Sequence, residues 1–444
     1  MKRRDFLVKS VIAGGFLTLG GFGCCQNKDK EAEGKKNSAN SDNCILEPAK
    51  QIPVLAKADV LIVGGGPAGT AAAIAASRAG AETYLIERYN HLGGLWTGGL
   101  VLPLLSTHGA NPKGGKIQVI HGIGGEMAKR LQDMGMAIHE QDPIVDPEAA
   151  KYVLDEMISE AGVKVIYHSV ATDAIMDGKT IKGVFIENKS GRQAILAKVV
   201  VDCTGDGDVY KWAGEKFEEI SYAIGLVHRL GNIDRIDKNA IGYRKINVGS
   251  PTPIPSVTWC NMWGEENQCA TDVLNLSRLQ QKYRKKIWEQ TEELKKKPGY
   301  EKVFLLDTAS QLGVRASRIL HGKYQLRLED TLNYTAFDDA IGVSGAYTSV
   351  DYKGKTIPTY LRPYWQIPYR SLLPKSIENL IVAGRCFSYE KALLEDARII
   401  GTCLVTGHGA GVAASIAAKH NTHPSEIDIK EMRDLLLKQN VWLG

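Results

Sequence analysis

The amino-acid sequence predicts an α/β fold with a β-rich insert. Three stretches carry this prediction: a strand, a glycine turn and a helix within residues 59–88, a group of strand-like segments within 162–201, and a return to strand and helix within 379–419. Short apolar runs bounded by glycine turns alternate there with helical segments, as in parallel βαβ units. Residues 220–365 are less regular and form the predicted insert.

Composition sets broad limits on the class of protein. The chain has 444 residues, 44% of them hydrophobic and 24% charged, which is typical of a globular protein with a substantial core. The formal net charge is +5, and the first nine residues contribute three of these units, with four basic side chains against Asp5. This charge pattern gives no indication of a nucleic-acid partner.

A glycine fingerprint follows the first predicted strand. Asp59–Val63 is a short apolar run suited to a buried parallel strand, and G-x-G-x-x-G follows it as Gly64, Gly66 and Gly69. The first glycine permits the turn, the second lets a pyrophosphate approach the backbone, and the third lets helix and strand pack closely. Pro67 opens a helix whose free N–H groups and dipole favour a bound diphosphate.

The rest of the βαβ unit is in register with this fingerprint. Gly80 ends the helix, Thr83–Ile86 is a second predicted strand, and Glu87 stands eighteen residues after Gly69. A carboxylate at this position accepts hydrogen bonds from an adenosine ribose. The unit therefore predicts a dinucleotide site, with a structural glycine turn as the alternative.

Residues 1–24 have the layout of an export signal. A basic start precedes an apolar, glycine-rich stretch, Val11–Gly23, that is too short to span a bilayer. Arg3 and Arg4 stand in an R-R-x-F-L context that resembles twin-arginine signals, and Cys24 is a candidate lipidation site. We therefore predict an exported bacterial protein, periplasmic or anchored to the membrane by a lipid, with a cytoplasmic protein as the alternative.

The remaining chain divides by composition and pattern. Residues 25–56 are polar and predict a tether. The first part of the nucleotide-binding domain follows at 57–219, the insert forms a substrate or cap domain at 220–365, and the second part of the nucleotide-binding domain spans 366–420. Residues 421–444 are the predicted C-terminal tail.

Cysteine spacing bears on metals and disulfides. The predicted folded part contains Cys203, Cys260, Cys269, Cys386 and Cys403, and no C-x-x-C occurs in the sequence. The spacing does not support a cysteine-ligated zinc or iron–sulfur centre, and we predict no metal. Whether Cys260 and Cys269 pair in an exported protein is left open by spacing alone.

Further patterns lie between the fingerprint and the C-terminal part. Thr172–Met176, Lys182–Glu187 and Ile195–Val201 are predicted strands of a meander. The last strand runs into Thr204–Gly207, a second glycine-containing turn that is by itself an ordinary turn or a ligand loop. Asp272–Lys297 predicts an amphipathic helix whose interleaved charges favour a solvated face over a membrane surface.

The C-terminal part returns to the α/β pattern. Asn379–Ala383 is a predicted strand that ends at Gly384 and Arg385, and Thr402–Lys419 is a predicted helix rich in small residues. Glycines in this helix allow close helix packing. Its amino end offers positive potential to an electron-rich ring.

Together these motifs resemble the FAD-dependent oxidoreductase family of the glutathione-reductase-like fold, whose members include the flavin core of heterodisulfide reductase. The resemblance covers residues 57–420 and rests on the fingerprint ending in LIER, then HLGGLWTGGL, VVVDCTGDGD, GVRASRI, IPYRSLLP, NLIVAGRCF and RIIGTCLVTGHGAG. It implies an FAD/NAD(P)-binding Rossmann-like domain with a β-rich or mixed substrate-domain insert.

The resemblance also implies a set of contacts with FAD. The adenosine ribose would lie on Glu87, the adenine near Val170, and the pyrimidine edge of the flavin near Thr402 and Cys403. The full set of implied cofactor-binding residues is Gly64, Gly66, Pro67, Ala68, Gly69, Glu87, Arg88, Gly94, Val170, Thr204, Gly205, Asp206, Gly384, Arg385, Thr402 and Cys403.

Three positions depart from the family pattern. Relatives often carry a histidine where this chain has Lys391, a proline where it has Gly401, and a glutamine or glutamate where it has His408. The iron–sulfur cysteines of heterodisulfide reductases are missing from the sequence as well. Because the three positions are expected near the flavin, we expect the substrate to differ from that of better-known members.

These observations predict an enzyme, an exported FAD-dependent oxidoreductase that transfers hydride between flavin N5 and an unidentified small organic substrate. Arg315 and Arg318 are predicted to share a helix face and bind a carboxylate or another anion. His91 and Lys391 are the other candidate substrate residues, and a structural role is the alternative for each. An NAD-binding dehydrogenase and a tethered nucleotide-binding module without turnover remain alternative functions.

The source of electrons is a separate question. A nicotinamide site would need a second strand, glycine turn and helix followed by an acid. The nearest match after Glu87 is His121–Leu131, and its flanking residues predict only the start of a helix. We therefore predict that NADH and NADPH reduce the flavin slowly or not at all.

Overall fold

The sheet that the fingerprint predicts is present in the computed structural model, which describes residues 45, 47–111 and 114–444. The predicted export signal with Cys24, and most of the predicted tether, lie outside the described residues. Glu47–Gly444 form one unit. The predicted α/β fold class is confirmed.

Strands and helices alternate in the first part of this unit. In chain order they are β1 Val54–Val63, α1 Pro67–Arg78, β2 Thr83–Ile86, β3 His108–Ala110, β4 Lys116–Gln118, α2 Gly122–Asp133, β5 Ala137–Ile138, β6 Ile144–Val145, α3 Pro147–Glu160, β7 Lys164–Ile166, β8 Val170–Asp177, β9 Thr180–Asn188, β10 Gly191–Asp202 and α4 Asp208–Trp212.

Short strands dominate the second part, as expected for the insert. These elements are β11 Phe217–Glu219, β12 Ser221–Gly225, β13 His228–Gly231, β14 Ser250–Pro251, β15 Thr258–Cys260, β16 Glu265–Cys269, α5 Val273–Lys295, β17 Phe304–Thr308, β18 Gly313–Val314, β19 Arg318–Leu320, α6 Leu328–Leu332, β20 Ala340–Ser344, β21 Val350–Tyr352, β22 Lys355–Ile357, β23 Trp365–Pro368, β24 Leu380–Val382, α7 Leu394–Ala397, α8 Ile400–His420 and α9 Ile429–Lys438.

Five parallel strands form the centre of the main sheet, in the order β7, β2, β1, β10, β24. Val63 pairs with Ile86 on one side and with Asp202 on the other. Ile86 then pairs with Ile166, and Asp202 with Val382. The carboxyl ends of all five strands therefore form one edge, which is where open α/β sheets bind ligands.

β10 belongs to the parallel sheet and to the predicted meander. Its first half pairs antiparallel with β9, which in turn pairs with β8. Its second half pairs parallel with β1. The insert carries two further sheets, β16-β12-β18 and β14-β15-β13-β17, beside two-stranded ribbons.

α8 packs on α1 with backbone-to-backbone contacts. A Cβ atom on Gly407 would lie 2.0 Å from the Ala68 oxygen, and one on Gly411 would lie 2.1 Å from the Ala72 oxygen. Only glycine permits this approach. In length and apolar composition α8 also meets the criteria for a membrane-spanning helix, but it is buried throughout that stretch, as core helices are.

Both ends of the unit depart from the predicted boundaries. The tether was predicted to end at residue 56, yet Val54 already pairs with Ala194 in the main sheet. The predicted tail contains α9, which buries Met432 and Leu436. In the same segment Gln366 Nε2 donates to the Leu443 oxygen at 2.8 Å, so the tail is part of the fold.

Candidate functional site

The glycine turn after β1 assigns a different task to each glycine. Gly64 has φ = 101°, and a Cβ there would lie 2.6 Å from the Cys203 oxygen. A Cβ on Gly69 would lie 1.8 Å from the Gly64 oxygen. A Cβ on Gly66 would meet no atom of the described residues within 4 Å. Gly64 and Gly69 thus allow backbone contacts, whereas Gly66 leaves open space, as a cradle for a ligand requires.

The amino end of α1 borders this space. Gly66 is its N-cap residue, Pro67 opens the helix, and no side chain of the described residues caps it. Thr70 Oγ1 donates to the Gly65 oxygen at 3.1 Å and to the Gly66 oxygen at 3.0 Å, which fixes the turn from inside. Helix amino ends carry N–H groups without intrahelical acceptors, and so this end fits a diphosphate.

Glu87 is buried and holds two backbone groups. Its Oε2 accepts a hydrogen bond from the Gly65 N–H at 2.6 Å, and its Oε1 accepts one from the Tyr89 N–H at 2.8 Å. The carboxylate therefore fixes the glycine turn against the end of β2. This structural role adds to the predicted contact with the ribose.

The loop after β2 lies on the glycine turn. The Gly93 N–H donates to the Gly65 oxygen at 2.8 Å, and a Cβ on Gly94 would lie 3.0 Å from the Gly66 Cα. His91 in the same loop is buried and stacks on Tyr89 with ring centroids 5.8 Å apart. Burial, followed by the charge of Lys151, lowers the pKa of His91.

The adenine end of the expected cofactor has a groove beside it. The groove has a volume of about 980 Å³, and its walls include Tyr84, Arg88, His168 and Ser169. Arg88 is exposed and follows Glu87 directly. Val170, the predicted adenine neighbour, is 46% exposed and begins β8 next to Ser169.

The second glycine turn follows β10, and hydrogen bonds to Asp202 at the end of that strand hold it in place. Its carboxylate accepts hydrogen bonds from the Thr204 N–H at 3.0 Å, the Thr204 hydroxyl at 2.7 Å and the Tyr210 N–H at 3.1 Å. Burial raises the pKa of Asp202 to about 6, although these hydrogen bonds act against the rise. The bonds fix the path of the predicted cofactor loop.

Asp206 joins this turn to the segment after β24. Arg385 Nη2 lies 2.6 Å from Asp206 Oδ1, and the Ser317 hydroxyl donates to the same oxygen at 2.7 Å. Burial raises the pKa of Asp206, but Arg385 and the Ser317 hydrogen bond lower it more, so the net shift is downward. The structure thus brings Gly205, Asp206 and Arg385 together.

Arg315 and Arg318 do not share a helix face, and that prediction is wrong. Arg315 follows β18 directly and Arg318 is the first residue of β19, with irregular backbone and no helix between them. Arg318 is buried and donates from Nη1 to the Asp206 oxygen at 2.9 Å and to Asp208 Oδ1 at 3.0 Å. These contacts make Arg318 a clamp on the second glycine turn.

The first turns of α8 lie against the loop after β24. Thr402 is fully buried, and its hydroxyl donates to the Asp396 oxygen at 2.7 Å and contacts the Ser344 hydroxyl at 2.7 Å. Burial raises the pKa of Cys403 to about 12, while Arg385 and Arg398 oppose the rise. Cys403 is thus a thiol near both guanidinium groups. The Gly384 N–H donates to Thr406 Oγ1 at 3.0 Å, which joins the β24 loop to α8.

The three positions that depart from the family pattern have different environments. His408 is buried with Nε2 2.8 Å from Gln439 Oε1, and burial lowers its pKa to about 4. It therefore belongs to the packing between α8 and the C-terminal segment. Gly401 packs on the Leu105 oxygen, 2.8 Å from the position of a Cβ. Lys391 is exposed in a short 3₁₀ helix before α7.

The structure also shows the surroundings of Cys260 and Cys269 and whether side chains are grouped to bind a metal. No disulfide joins Cys260 to Cys269. The Cys260 Sγ donates to the Val248 oxygen at 3.4 Å, and the Cys269 Sγ lies 3.2 Å from Thr271 Oγ1. In the part of the chain that the structure describes, no group of three or more His, Cys, Asp or Glu side chains is placed to hold a metal ion.

Sequence reasoning named Arg315 as a candidate anion-binding residue but missed the polar cluster around it. It consists of Tyr222 on β12, Trp263 between β15 and β16, Arg315 after β18, and Glu395 and Arg398 before α8, and we call it the Arg315–Arg398 cluster. Its members come from four separate segments. No local pattern links them, so only an alignment of covarying positions would have found the cluster in advance.

Solved structures with similar folds are distant in sequence. A geranylgeranyl bacteriochlorophyll reductase-like protein from Thermoplasma acidophilum is 15% identical, with a TM-score of 0.43, over 86% of this chain and 82% of that one. A flavin-dependent brominase is 12% identical with a TM-score of 0.40, over 86% of this chain and 83% of that one.

Curated relatives match over part of the sequence. A thiamine thiazole synthase from Methanococcus aeolicus is 30% identical over 179 residues, 37% of this chain and 62% of that protein. A digeranylgeranylglycerophospholipid reductase from Methanosarcina acetivorans is 28% identical over 167 residues, 35% of this chain and 40% of that protein. The chain thus matches less than two thirds of the length of these relatives.

A family profile covers most of the chain. The family described as FAD dependent oxidoreductase matches residues 59–225 and 228–436. These ranges include both glycine turns, the insert, the strand β24 and the helix α8. FAD is therefore the cofactor, the open space at Gly66 and the amino end of α1 fit its diphosphate, and the chain belongs to the FAD-dependent oxidoreductase family.

Proposed function

We propose that the protein is an exported oxidoreductase that exchanges hydride between bound FAD and an organic substrate that enters beneath the insert. The observation that carries the proposal is the convergence of three loops at one sheet edge. The first glycine turn, with Gly64, follows β1. The second glycine turn, with Asp206, follows β10, and Arg385 follows β24. FAD, when bound, supplies the hydride chemistry, and the protein supplies binding, orientation and electrostatics.

The residues of this edge divide the work. The Gly66 cradle and α1 bind the diphosphate, and Glu87 accepts hydrogen bonds from the ribose while it holds the turn. The paired Asp206 and Arg385 fix the second loop without adding net charge. The amino end of α8, which no side chain of the described residues caps, would provide positive potential for negative charge on a reduced flavin ring bound there.

We propose that the substrate, and not a pyridine nucleotide, exchanges electrons with FAD. The nearest second fingerprint, His121–Leu131, coincides with α2. The strand before α2 is β4, which pairs with β3 outside the main sheet. A nicotinamide site of the βαβ type would need a parallel strand in that place.

Two measurements test this proposal. The purified protein is expected to be yellow and to release FAD, not FMN, on denaturation. Under anaerobic stopped flow, NADH and NADPH are expected to bleach the bound flavin slowly or not at all. Rapid and saturable bleaching would make the protein a pyridine-nucleotide reductase, and protein that stays colourless with excess FAD would leave a nucleotide-binding module or an NAD-binding dehydrogenase.

Export is the second part of the proposal, supported by the R-R-x-F-L context of Arg3 and Arg4. A route for folded proteins suits a chain that must acquire its dinucleotide before it leaves the cytoplasm. Changing both arginines to lysine is expected to retain folded, flavin-loaded protein in the cytoplasm. Labelled fatty acid is expected on Cys24 of the wild type. Unchanged export of the double variant would contradict the twin-arginine assignment, and absence of label would contradict lipidation.

A further inference from the structure

Arg315 is fixed in place without a carboxylate partner. Its Nη1 donates to the Ala223 oxygen at 3.1 Å and to the Trp263 oxygen at 3.2 Å. Its Cζ lies 4.3 Å from the centroid of the Trp263 ring. Within the described residues, no carboxylate lies within ion-pairing distance of this guanidinium. One nitrogen therefore anchors the group, and the rest of its planar fork is left for another acceptor.

Glu395, whose charge acts on Arg315, is already paired with other groups. Glu395 forms an ion pair with Arg398 and accepts a hydrogen bond from the Tyr222 hydroxyl at 2.8 Å. Burial, followed by the hydrogen bond to Glu395, raises the pKa of Tyr222 to about 12, so that its hydroxyl stays neutral. The cluster thus holds two guanidinium groups and one carboxylate, and its net charge is positive.

The second guanidinium acts directly on the first. Burial lowers the pKa of Arg315, and the like charge of Arg398 lowers it further, against the opposing effect of Glu395. A cation held under these conditions costs free energy unless an anion compensates it. The uncapped amino end of α8 begins two residues after Arg398 and adds to the positive potential.

The cluster is adjacent to the expected position of the flavin. Arg398 and Arg385 both lie close enough to the Cys403 thiol to oppose the rise of its pKa. Cys403 also donates from Sγ to the Arg398 oxygen at 3.5 Å. Arg398 thus connects the Arg315–Arg398 cluster to Cys403, and Arg385 connects Cys403 to the second glycine turn.

We propose that Arg315, with Arg398 beside it, binds a carboxylate group of the substrate. This inference rests on the proposed function and names the substrate class as a carboxylic acid held next to the flavin. The planar fork of arginine matches the two oxygens of a carboxylate, which a compact ammonium group does not. Stacking on Trp263 pre-organises the fork, so that less conformational entropy is lost on binding.

The test is a calorimetric titration of the purified, flavin-loaded protein. The probes are acetate, succinate, benzoate, their neutral amides, and inorganic phosphate, all at low ionic strength. At least one carboxylate is expected to bind saturably, and its amide is not. Arg315→Gln is expected to weaken that binding about tenfold or more, the size of a hydrogen bond to a charged group. Arg284→Gln, which removes an exposed arginine from α5, is the matched control and is expected to bind as the wild type does.

The outcomes test carboxylate binding by Arg315 separately from the proposed FAD-dependent function. No carboxylate binding in the wild type, equal affinity in Arg315→Gln, or phosphate binding as tight as that of any carboxylate overturns the inference. If Arg315→Gln does not fold, Arg315→Lys decides the matter, since weaker binding supports the role of the fork and unchanged binding overturns it. Flavin content is measured on the same samples, so absence of FAD contradicts the proposed function while the binding heats still report on Arg315.

Discussion

The glycine turn after β1 and the Arg315–Arg398 cluster are built in different ways. In the turn, the buried Glu87 carboxylate accepts from a backbone N–H only 22 residues away, and the Thr70 hydroxyl donates to backbone oxygens four and five residues away. In the cluster, Arg315 reaches oxygens that are 92 and 52 residues away along the chain. The first site depends on local backbone geometry, and the second depends on which loops the insert brings together.

The largest expected effect concerns the ion pair that joins the insert to α7. Arg362 and Asp396 are both about 1% exposed, with Arg362 Nη2 2.6 Å from Asp396 Oδ2. Asp396→Asn leaves a buried, unpaired guanidinium and is expected to lower the free energy of unfolding by about 3 to 5 kcal/mol. Asp338→Asn, at an ion pair whose aspartate is 86% exposed, is the control and is expected to cost about 1 kcal/mol at most. Denaturant unfolding measures both losses of stability. If the two variants lose equal stability, contacts between segments distant in sequence are no more important here than an exposed ion pair.

The next effect separates two glycines of the turn. Gly69→Ala places a Cβ 1.8 Å from the Gly64 oxygen, and is expected to cost about 3 kcal/mol of stability in the apoprotein. Gly66→Ala meets open space, so the apoprotein is expected to keep its stability while FAD affinity falls. Denaturant unfolding and FAD titration measure the two effects. A destabilised Gly66→Ala apoprotein would show that the open space is structural and not a cradle.

A substitution at Glu87 also tests the first glycine turn. Glu87→Ala is expected to weaken FAD binding by about 1.5 to 3 kcal/mol, the scale of hydrogen bonds to a charged group. Because the carboxylate also holds the N–H groups of Gly65 and Tyr89, the apoprotein is expected to lose stability too. Fluorescence titration with FAD and unfolding of the apoprotein check both parts. Unchanged apoprotein stability would mean that the turn forms without Glu87.

The smallest effect depends on pH. The pKa of His408 is about 4 in the folded protein against an ordinary 6.5, so the folded state binds fewer protons than the unfolded state. The stability that neutral His408 contributes is present above its ordinary pKa and is lost as pH falls towards 4. Between about pH 7 and pH 5 the wild type is expected to lose about 2 kcal/mol more than His408→Gln. The measurement is denaturant unfolding of both proteins at several pH values. If the two lose the same stability between pH 7 and pH 5, His408 is not buried as a neutral imidazole.

Patterns over short distances predicted the elements well. Thr83–Ile86 was predicted and observed with the same bounds as β2. The helix predicted at Asp272–Lys297 is α5, with Asp272 as its cap, accepting from the N–H groups of Leu274 and Asn275. Strand alternation, caps and glycine turns depend on residues close in sequence, so the sequence alone specifies them.

Side-chain partners across the insert could not be predicted in this way. Arg318 was expected beside Arg315 on a helix, but it clamps Asp206 and Asp208, because β18 and β19 are extended there. The position of His408 suggested a place near the flavin, yet its ring contacts Gln439. The direction of a side chain follows from the tertiary path of the backbone, which spacing in the sequence does not reveal.

The sequence by itself determined most of the first glycine turn, since Gly69 and Glu87 contact backbone groups within one βαβ unit, although Gly64 also packs on Cys203 after β10. Only the tertiary structure decided that Arg398 lies beside Arg315 and that Glu395 is already paired. The physical reason is the sequence separation over which each kind of interaction acts. Backbone hydrogen bonds and glycine conformations are set by near neighbours, whereas a balance of buried charges is set by every segment that folds onto the same place.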